Sequence, residues 1–195
     1  LLAGLDRSRQ RRTGLYIEMK APNWHQREGL DLAAAVLGVL EQTGYAKRSD
    51  QVFLQCFDDL TLRRIHDDGL SGLPMIQLIG ENDWGEDTAA DYEAMRSPEG
   101  LDRVARYASG IGPWVPHVVT VQADGSITAT ALTSQAQQRG LQVHPYTLRQ
   151  DELPANVKHL DELHRALFEA AGVDGVFTDF PDLTRRYLDA RRAAP

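Results

Sequence analysis

Short apolar runs alternate with longer amphipathic stretches along this chain. In its first half, the runs "LYIEMK", "VFLQCF" and "MIQLI" have the length and composition of strands. The segment Gly29–Thr43 carries apolar side chains at helical spacing and stops before Gly44, as a helix with a glycine C-cap does. The stretch "DDLTLRRIHDDG" predicts a short helix capped by Asp58 or Asp59.

The second half continues this alternation after a polar and aromatic stretch, residues 80–100, that is typical of a functional loop. A helix is expected after this loop, and the pattern then predicts a strand at "SGIG", a helix over residues 126–139, a strand at "QVHPYT", a helix over Val157–Ala171, a strand at "DGVFTDFP" and a closing helix at "DLTRRYLDARR". Strands separated by helices imply right-handed crossovers and a parallel sheet.

Polar residues fall on the predicted strands, mostly at their ends. They are Glu18, Lys20, Gln55, Gln77, Tyr146, Thr147 and Asp179. Chemistry at the C-terminal ends of many different strands is typical of a (β/α)8 barrel, whereas an open sheet concentrates it at one crevice. The six predicted strands are two fewer than a barrel needs. The pattern therefore predicts an α/β fold of which this chain forms a part.

Composition and charge exclude several classes of protein. The 195 residues are 42% hydrophobic and 25% charged, which is ordinary for a globular domain. The net charge of −7 argues against nucleic acid as a partner, and no apolar run is long enough for a membrane span. The single Cys56 has neither a disulfide partner nor zinc-site spacing. The arginine-rich N-terminal residues do not resemble a signal peptide.

Several sequence blocks together resemble the glycerophosphodiester phosphodiesterase family, in particular its bacterial periplasmic type. The blocks are "YIEMKAPNWHQREGLDLA", "VFLQCFD", "IQLIGENDW", "YASGIGPW", "LQVHPYTLRQDELP" and "GVDGVFTDFPD". The resemblance implies a TIM-type (β/α)8 barrel, with this chain covering roughly strands three to eight. Residues 1–195 would then be the C-terminal part of a single barrel domain, in a periplasmic or extracytoplasmic protein.

The resemblance also implies an activity, the metal-dependent hydrolysis of glycerophosphodiesters to glycerol 3-phosphate and an alcohol in lipid and glycerol metabolism. The cofactor would be a divalent cation, Ca²⁺ rather than Mg²⁺, and the partner a small-molecule substrate. A glycerol hydroxyl would attack the phosphate and form a cyclic intermediate. The family's His-Arg-Gly, Pro-Glu-Asn/His-Thr and His-Asp blocks are not found in these residues. The acid and base histidines are therefore expected upstream, and residues 1–195 alone are expected to be inactive.

By the same resemblance, Glu18 matches a metal carboxylate and Lys20 a charge partner for the phosphate. In a strand these two side chains point to the same face, as they also would on an exposed edge strand. The other expected substrate contacts are Gln55, Gln77, His144, Tyr146 and Asp179. For the glutamines and Asp179 the alternative is a satisfied buried polar group, and for His144 a structural role.

Two alternatives to an enzyme of this family stay open. One is a catalytically inactive barrel remnant or scaffold that retains phosphate contacts. The other is a different phosphate-binding barrel, which would make the "YIEMK" and "GVFTDFP" blocks coincidences. A calcium site at Asp83, Glu86, Asp87 and Asp91 is a further possibility, but these residues lack EF-hand spacing, and a solvated acidic loop is the simpler interpretation.

Overall fold

The three apolar runs of the first half form a parallel sheet in the computed structural model, which describes Gly4 and residues 13–193. The strands are β1 (Leu15–Glu18), β2 (Val52–Cys56) and β3 (Met75–Ile79), in the order β1-β2-β3. Their register aligns Glu18 with Gln55 and Cys56 with Gln77. These strands belong to a first compact unit that extends to Gly110, and a second unit begins at Ile111.

The helices of the first unit are α1 (Pro22–Arg27), α2 (Leu32–Thr43), α3 (Asp59–Asp67), α4 (Tyr92–Met95) and α5 (Pro98–Val104). Helix α2 begins at Leu32 and not at the predicted Gly29, because the Asp31 carboxylate accepts a hydrogen bond from the Ala34 N–H and caps it. It ends at Gly44, with a φ of 77°, as predicted. Of the two candidate caps for α3, Asp58 is the one that the structure uses.

The stretch 80–100, predicted as a loop, contains α4 and the start of α5. The two short helices approach each other closely at Gly100. A Cβ atom at this position would lie 1.9 Å from the Ala94 carbonyl oxygen and 2.7 Å from the Met95 Cα. Glycine is therefore the residue that lets α5 start where it does.

Strand β4 (Gly110–Pro113) begins at the boundary and lies in the second unit from Ile111 onward. The second unit also contains α6 (Val115–Val118), β5 (Val119–Val121), β6 (Ile127–Ala129), α7 (Leu132–Gln137), β7 (Gln142–Val143), α8 (Leu160–Arg165), a π-helical segment (Ala166–Ala171) and α9 (Pro181–Ala193). In the part of the chain that the structure describes, no helix is long and apolar enough to cross a membrane.

The helix predicted over residues 126–139 is wrong in its first third. Residues 127–129 form β6, which pairs antiparallel with β5 in a two-stranded hairpin. Asp124 and Gly125 make the turn, where Gly125 has a φ of 85°. The Asp124 carboxylate accepts hydrogen bonds from the Ser126 N–H and hydroxyl. Helix α7 begins only at Leu132.

The predicted strands "QVHPYT" and "DGVFTDFP" are present mainly as a hydrogen-bonded ladder. The His144 N–H donates to the Ile111 carbonyl oxygen at 3.0 Å, and the Tyr146 N–H to that of Pro113 at 3.1 Å. On the other side, the Leu148 N–H donates to the Phe177 carbonyl oxygen at 2.8 Å. The last predicted strand is thus reduced to a single parallel bridge, between Leu148 and Thr178.

The core of the second unit contains a buried histidine on α8. The His164 ring stacks on Tyr187 at a centroid distance of 4.8 Å. Its Nε2 lies 2.9 Å from the Thr184 hydroxyl and its Nδ1 lies 3.3 Å from the Asp161 carboxylate. Burial lowers the pKa of His164, against the opposing effect of Asp161. The neutral ring is therefore the form that fits this core.

Because of this histidine, we expect the protein to lose stability in acid. An unfolded histidine takes up its proton near pH 6.5, but folded His164 does so only at lower pH. The stability that the neutral ring contributes is thus complete above about pH 6.5. It is lost as the pH falls from there through the folded pKa, at up to about 1.4 kcal/mol per pH unit. Urea unfolding between pH 5 and 8 should show this slope, and His164→Gln should reduce it.

A second variant separates this effect from that of His144, whose pKa burial also lowers. His144→Gln should remove the part of the pH dependence of stability that is due to His144 and leave the part that is due to His164. An unchanged slope in His164→Gln would contradict the prediction.

Candidate functional site

The ends of β1 and β2 bring three predicted site residues together in the first unit. Glu18 is the last residue of β1 and lies beside Gln55 in the register of the sheet. Lys20 follows two residues later, with its Nζ 3.9 Å from the Glu18 Oε1. The Lys20 side chain is 72% exposed and that of Glu18 32% exposed, so both can reach a ligand from solvent. Such an exposed pair contributes little to stability.

Gln55 carries an unmet hydrogen-bonding group in this arrangement. The residue is 7% exposed, and its Oε1 has no hydrogen-bond partner among the residues that the structure describes. A buried amide oxygen without a partner costs free energy, and native structures rarely keep one without a reason. Here it lies beside a carboxylate at the end of a strand, where a ligand could use it.

The backbone just after Lys20 is strained. Ala21 has a φ of 48° and a ψ of 53°, the left-handed region, which costs roughly 1 kcal/mol or more for a residue with a Cβ. The turn also precedes Pro22, which disfavours a helical backbone in the residue before it. Strained residues persist where their surroundings hold them, and α1 begins immediately afterwards.

Asp58, which the sequence predicted only as a helix cap, makes hydrogen bonds to three segments near this turn. Its carboxylate, 1% exposed, accepts hydrogen bonds from the Thr61 N–H at 2.8 Å and hydroxyl at 2.7 Å. It also accepts from the Asn23 Nδ2 at 3.1 Å and from the Thr88 hydroxyl at 2.7 Å. One side chain thus connects β2 to the segments that follow β1 and β3.

Gln77 does not join Glu18 and Gln55. Because aligned residues of neighbouring parallel strands point to the same face, Gln77 shares the face of Cys56, opposite to that of Gln55. Its Nε2 donates to the Phe57 carbonyl oxygen at 3.0 Å and its Oε1 accepts from the Tyr107 hydroxyl at 2.9 Å. The residue is fully buried. These contacts satisfy the side-chain amide of Gln77 within this unit, as the alternative of a buried polar group expects.

In the second unit, His144 lies against Gly175. A Cβ on that glycine would be 3.2 Å from the His144 Cδ2, so the absent side chain makes room for the ring. Burial lowers the pKa of His144, although the neighbouring Asp174 raises it. Asp174 itself accepts from the Val143 N–H at 2.8 Å and from the Gln137 amide at 3.2 Å. The ring is therefore favoured in its neutral form.

Tyr146 and Asp179 occupy different surroundings in the same unit. Tyr146 pairs with Trp114 through a parallel bridge and is half-buried. The Asp179 carboxylate accepts a hydrogen bond from the Arg149 Nη1 at 2.6 Å, and Arg149 also contacts Asp151 at 2.9 Å. The carboxylate groups raise the pKa of Arg149. The Asp179 carboxylate is thus ion-paired with Arg149.

The acidic stretch from Asp83 to Asp91 is held by contacts within the protein. Asp87 makes a bidentate ion pair with Arg27, whose Nη1 and Nη2 lie 3.0 and 3.2 Å from the two carboxylate oxygens. Asp91 caps α4 and accepts from the Asn82 amide. Within the described ranges, no group of three or more His, Cys, Asp or Glu residues could hold a metal ion. For a hard cation, this chain offers Glu18 and the amide oxygen of Gln55, an incomplete but chemically suitable set.

Comparisons with known proteins agree with this fold. A sequence model described as the glycerophosphoryl diester phosphodiesterase family matches residues 3–183. A glycerophosphodiester phosphodiesterase of Haemophilus influenzae is 36% identical over 96% of this chain and 56% of its own length. One from Treponema pallidum is 32% identical over 96% of this chain and 57% of its own length. The chain thus spans about half the length of these relatives.

The solved structure of a glycerophosphodiester phosphodiesterase from Parabacteroides distasonis is similar in fold. It matches with a TM-score of 0.60 and 15% identity, over 92% of this chain and 58% of that one. This likeness of fold confirms the predicted fold class, α/β of the TIM-barrel type.

Proposed function

This chain belongs to the glycerophosphoryl diester phosphodiesterase family, and we propose that the protein hydrolyses glycerophosphodiesters to glycerol 3-phosphate and an alcohol. The observation that supports this most directly is the group at the ends of β1 and β2. There a carboxylate, a lysine and an unpartnered amide oxygen lie together within one unit. A carboxylate for a cation and an ammonium for a phosphate are what a metal-dependent phosphodiesterase needs.

In this proposal the cofactor is a divalent cation, Ca²⁺ rather than Mg²⁺, and Glu18 is its ligand from this chain. Calcium accepts irregular sets of carboxylate and carbonyl oxygens, and the adjacent Gln55 oxygen is of this kind. Bound there, the cation would supply positive charge to stabilise the phosphate in the transition state. The remaining ligands lie outside the pair identified here.

Lys20 neutralises and orients the phosphodiester in the same proposal. Its ammonium is exposed, and among the described residues the carboxylate that pairs with it is Glu18, at 3.9 Å. Because that contact is long and open to solvent, a bound phosphate could replace it. Gln55, which is buried and aligned with Glu18 in the sheet, would donate or accept a hydrogen bond at the substrate or at a ligand of the cation. None of the described residues is assigned the role of general acid or base.

His144, Tyr146 and Asp179 remain proposed substrate contacts on the basis of the resemblance, and each is described within the second unit only. A neutral His144 is suited to accept or donate a hydrogen bond. Asp179 would have to bind substrate together with Arg149. A periplasmic or extracytoplasmic location, and a role in lipid or glycerol metabolism, complete the proposal.

The test is an assay of the full-length protein with glycerophosphocholine. Release of glycerol 3-phosphate should require added Ca²⁺ and should stop with a chelator. Substrate binding without turnover would favour an inactive binding barrel, and no binding at all would overturn the proposal.

Replacing Lys20 by methionine gives a more local prediction. In the full-length protein, Lys20→Met should lower kcat/KM between about 10- and 100-fold. This is less than the roughly 100- to 1,000-fold expected for an enclosed donor, because Lys20 is exposed to water. Steady-state kinetics measure the change. The matched control is Lys47→Met, at an exposed lysine away from these strand ends, which should be near wild type. A lower melting temperature with unchanged kcat/KM would assign Lys20 to structure.

A further inference from the structure

The loops that follow the three strands of the first unit meet at one buried carboxylate. Asp58 lies directly after β2 and accepts hydrogen bonds from Asn23, in the segment after β1, and from Thr88, in the segment after β3. The Asn23 Nδ2 also donates to the Asp87 carbonyl oxygen at 2.8 Å. These contacts, which we call the Asp58 clasp, comprise Asn23, Asp58, Asp87 and Thr88.

The clasp adjoins the proposed phosphate-binding lysine. Lys20, Asp58 and Thr88 line one small cavity, whose other lining residues include Pro22 and the acidic Glu86 and Asp87. Between Lys20 and Asn23 there are only two residues, the left-handed Ala21 and the rigid Pro22. A restraint on Asn23 is therefore transmitted over a short and stiff piece of chain to the backbone that carries Lys20.

Helix capping alone does not account for the clasp. An N-cap requires one acceptor, and the Asp58 Oδ2 provides it for Thr61. Among the residues that the structure describes, the second oxygen, Oδ1, accepts from Asn23 and Thr88, which belong to other segments. Asp31, by contrast, caps α2 in the same way, but its other partner is the exposed Arg64. Asp58 therefore has a function beyond its helix.

We propose that Asp58 is a positioning residue for the phosphodiester site: through Asn23 and Thr88 it fixes the turn at Ala21 and so holds Lys20 where the phosphate binds. This rests on the proposed function, because it assumes that Lys20 contacts the phosphate. A misplacement of about 1 Å in a group that contacts the reacting centre is enough to cost a large part of the rate. The buried, fully hydrogen-bonded carboxylate provides the required rigidity.

The substitution Asp58→Ser separates positioning from capping. Serine is as good an N-cap as aspartate, but its single short hydroxyl cannot hold Thr61, Asn23 and Thr88 together. We expect Asp58→Ser to lower kcat/KM about tenfold, through both a higher KM and a lower kcat. The matched control, Asp31→Ser, makes the same change at the cap of α2 and should alter kcat/KM by less than about twofold.

A double-mutant cycle with Lys20→Met gives a measurement that a purely structural role would not change. If Asp58 acts by holding Lys20, then Asp58→Ser should lower kcat/KM by less than about twofold once Lys20 is methionine. Thr88→Val removes one arm of the clasp without touching the helix cap. It should lower kcat/KM about threefold alone and show the same loss of effect in the Lys20→Met background.

The outcomes distinguish the two proposals. If Lys20→Met leaves kcat/KM unchanged, the proposed role of Lys20 in the activity is wrong. If Lys20→Met is impaired but the effects of Asp58→Ser and Thr88→Val simply multiply with it, the positioning role is overturned while the function stands. Where Asp58→Ser does not fold, the Thr88→Val cycle decides the same question.

Discussion

Glu18→Gln in the full-length protein should weaken the binding of Ca²⁺ by about 100-fold or more and lower kcat/KM for glycerophosphocholine at least as much at limiting Ca²⁺. Replacing even an indirect, hydrogen-bonded neighbour of a metal ligand costs about 10- to 100-fold in affinity, and Glu18 is the proposed direct ligand. Glutamine keeps the size of the side chain but removes its charge, which a hard cation needs most. Calorimetric titration with Ca²⁺ and steady-state kinetics measure the two effects.

The fold should survive this change, which makes the result easy to interpret. Glu18 is partly exposed and its contact with Lys20 is long, so the free energy of unfolding should change by less than about 0.5 kcal/mol. Glu41→Gln, an exposed glutamate on α2, provides the same substitution away from the site. If Glu18→Gln titrates and turns over as the wild type does, Glu18 is not a ligand.

Gly100→Ala should be among the most destabilising small substitutions in the chain, by about 3 kcal/mol or more. The new Cβ would lie 1.9 Å from the Ala94 carbonyl oxygen. The atoms in the way are backbone, which cannot rotate aside as a side chain can, so α4 and α5 have to separate. Thermal unfolding should show a fall in Tm of roughly 6–12 °C or more.

Gly38→Ala is the matched control for this substitution. Gly38 lies inside α2, and no atom is within 4 Å of the position where its Cβ would be. Alanine there should stabilise the protein by up to about 1 kcal/mol, through helix propensity alone. If both alanine variants were equally stable, the close approach of α4 and α5 at Gly100 would not exist in solution.

The sequence predicted the first unit well because apolar runs and caps are local signals. The strand prediction at "MIQLI" coincides with β3, and Gly44 ends α2 as expected. The close approach at Gly100 was not predictable, because it depends on how α4 and α5 pack. The side occupied by Gln77 was not predictable either, since it follows from the register between β2 and β3 and not from the residue itself.

The misses in the second unit have physical causes as well. The β5–β6 hairpin had a signal, Asp124-Gly125 between alternating threonines and apolar residues, which outweighs the weak helical pattern of residues 126–139. The predicted helix Val157–Ala171 starts at Leu160 and turns into a π-helical segment from Ala166. Such a widened turn depends on packing, here of the π-helical segment against the β5–β6 hairpin. Local propensity therefore does not reveal it.

The contacts of Asp58 show how much of a site a sequence leaves undetermined. A single aspartate before a helix predicts a cap, and this prediction is confirmed. Its contacts to Asn23 and Thr88 join positions 35 and 30 residues away, and no local pattern announces them. Glu18 and Lys20, in contrast, were identified through the family resemblance of the continuous block "YIEMK".

The reactivity of Cys56 can be used to follow the opening of the sheet of the first unit. The thiol has no exposed surface and donates to the Met19 carbonyl oxygen at 3.0 Å, and burial raises its pKa to about 12. Alkylating reagents attack the thiolate, so Cys56 should resist them as long as β1 stays paired with β2. The rate at which an iodoacetamide-type label enters this position would therefore time the opening of the strands that carry Glu18 and Gln55, separately from any event in the second unit.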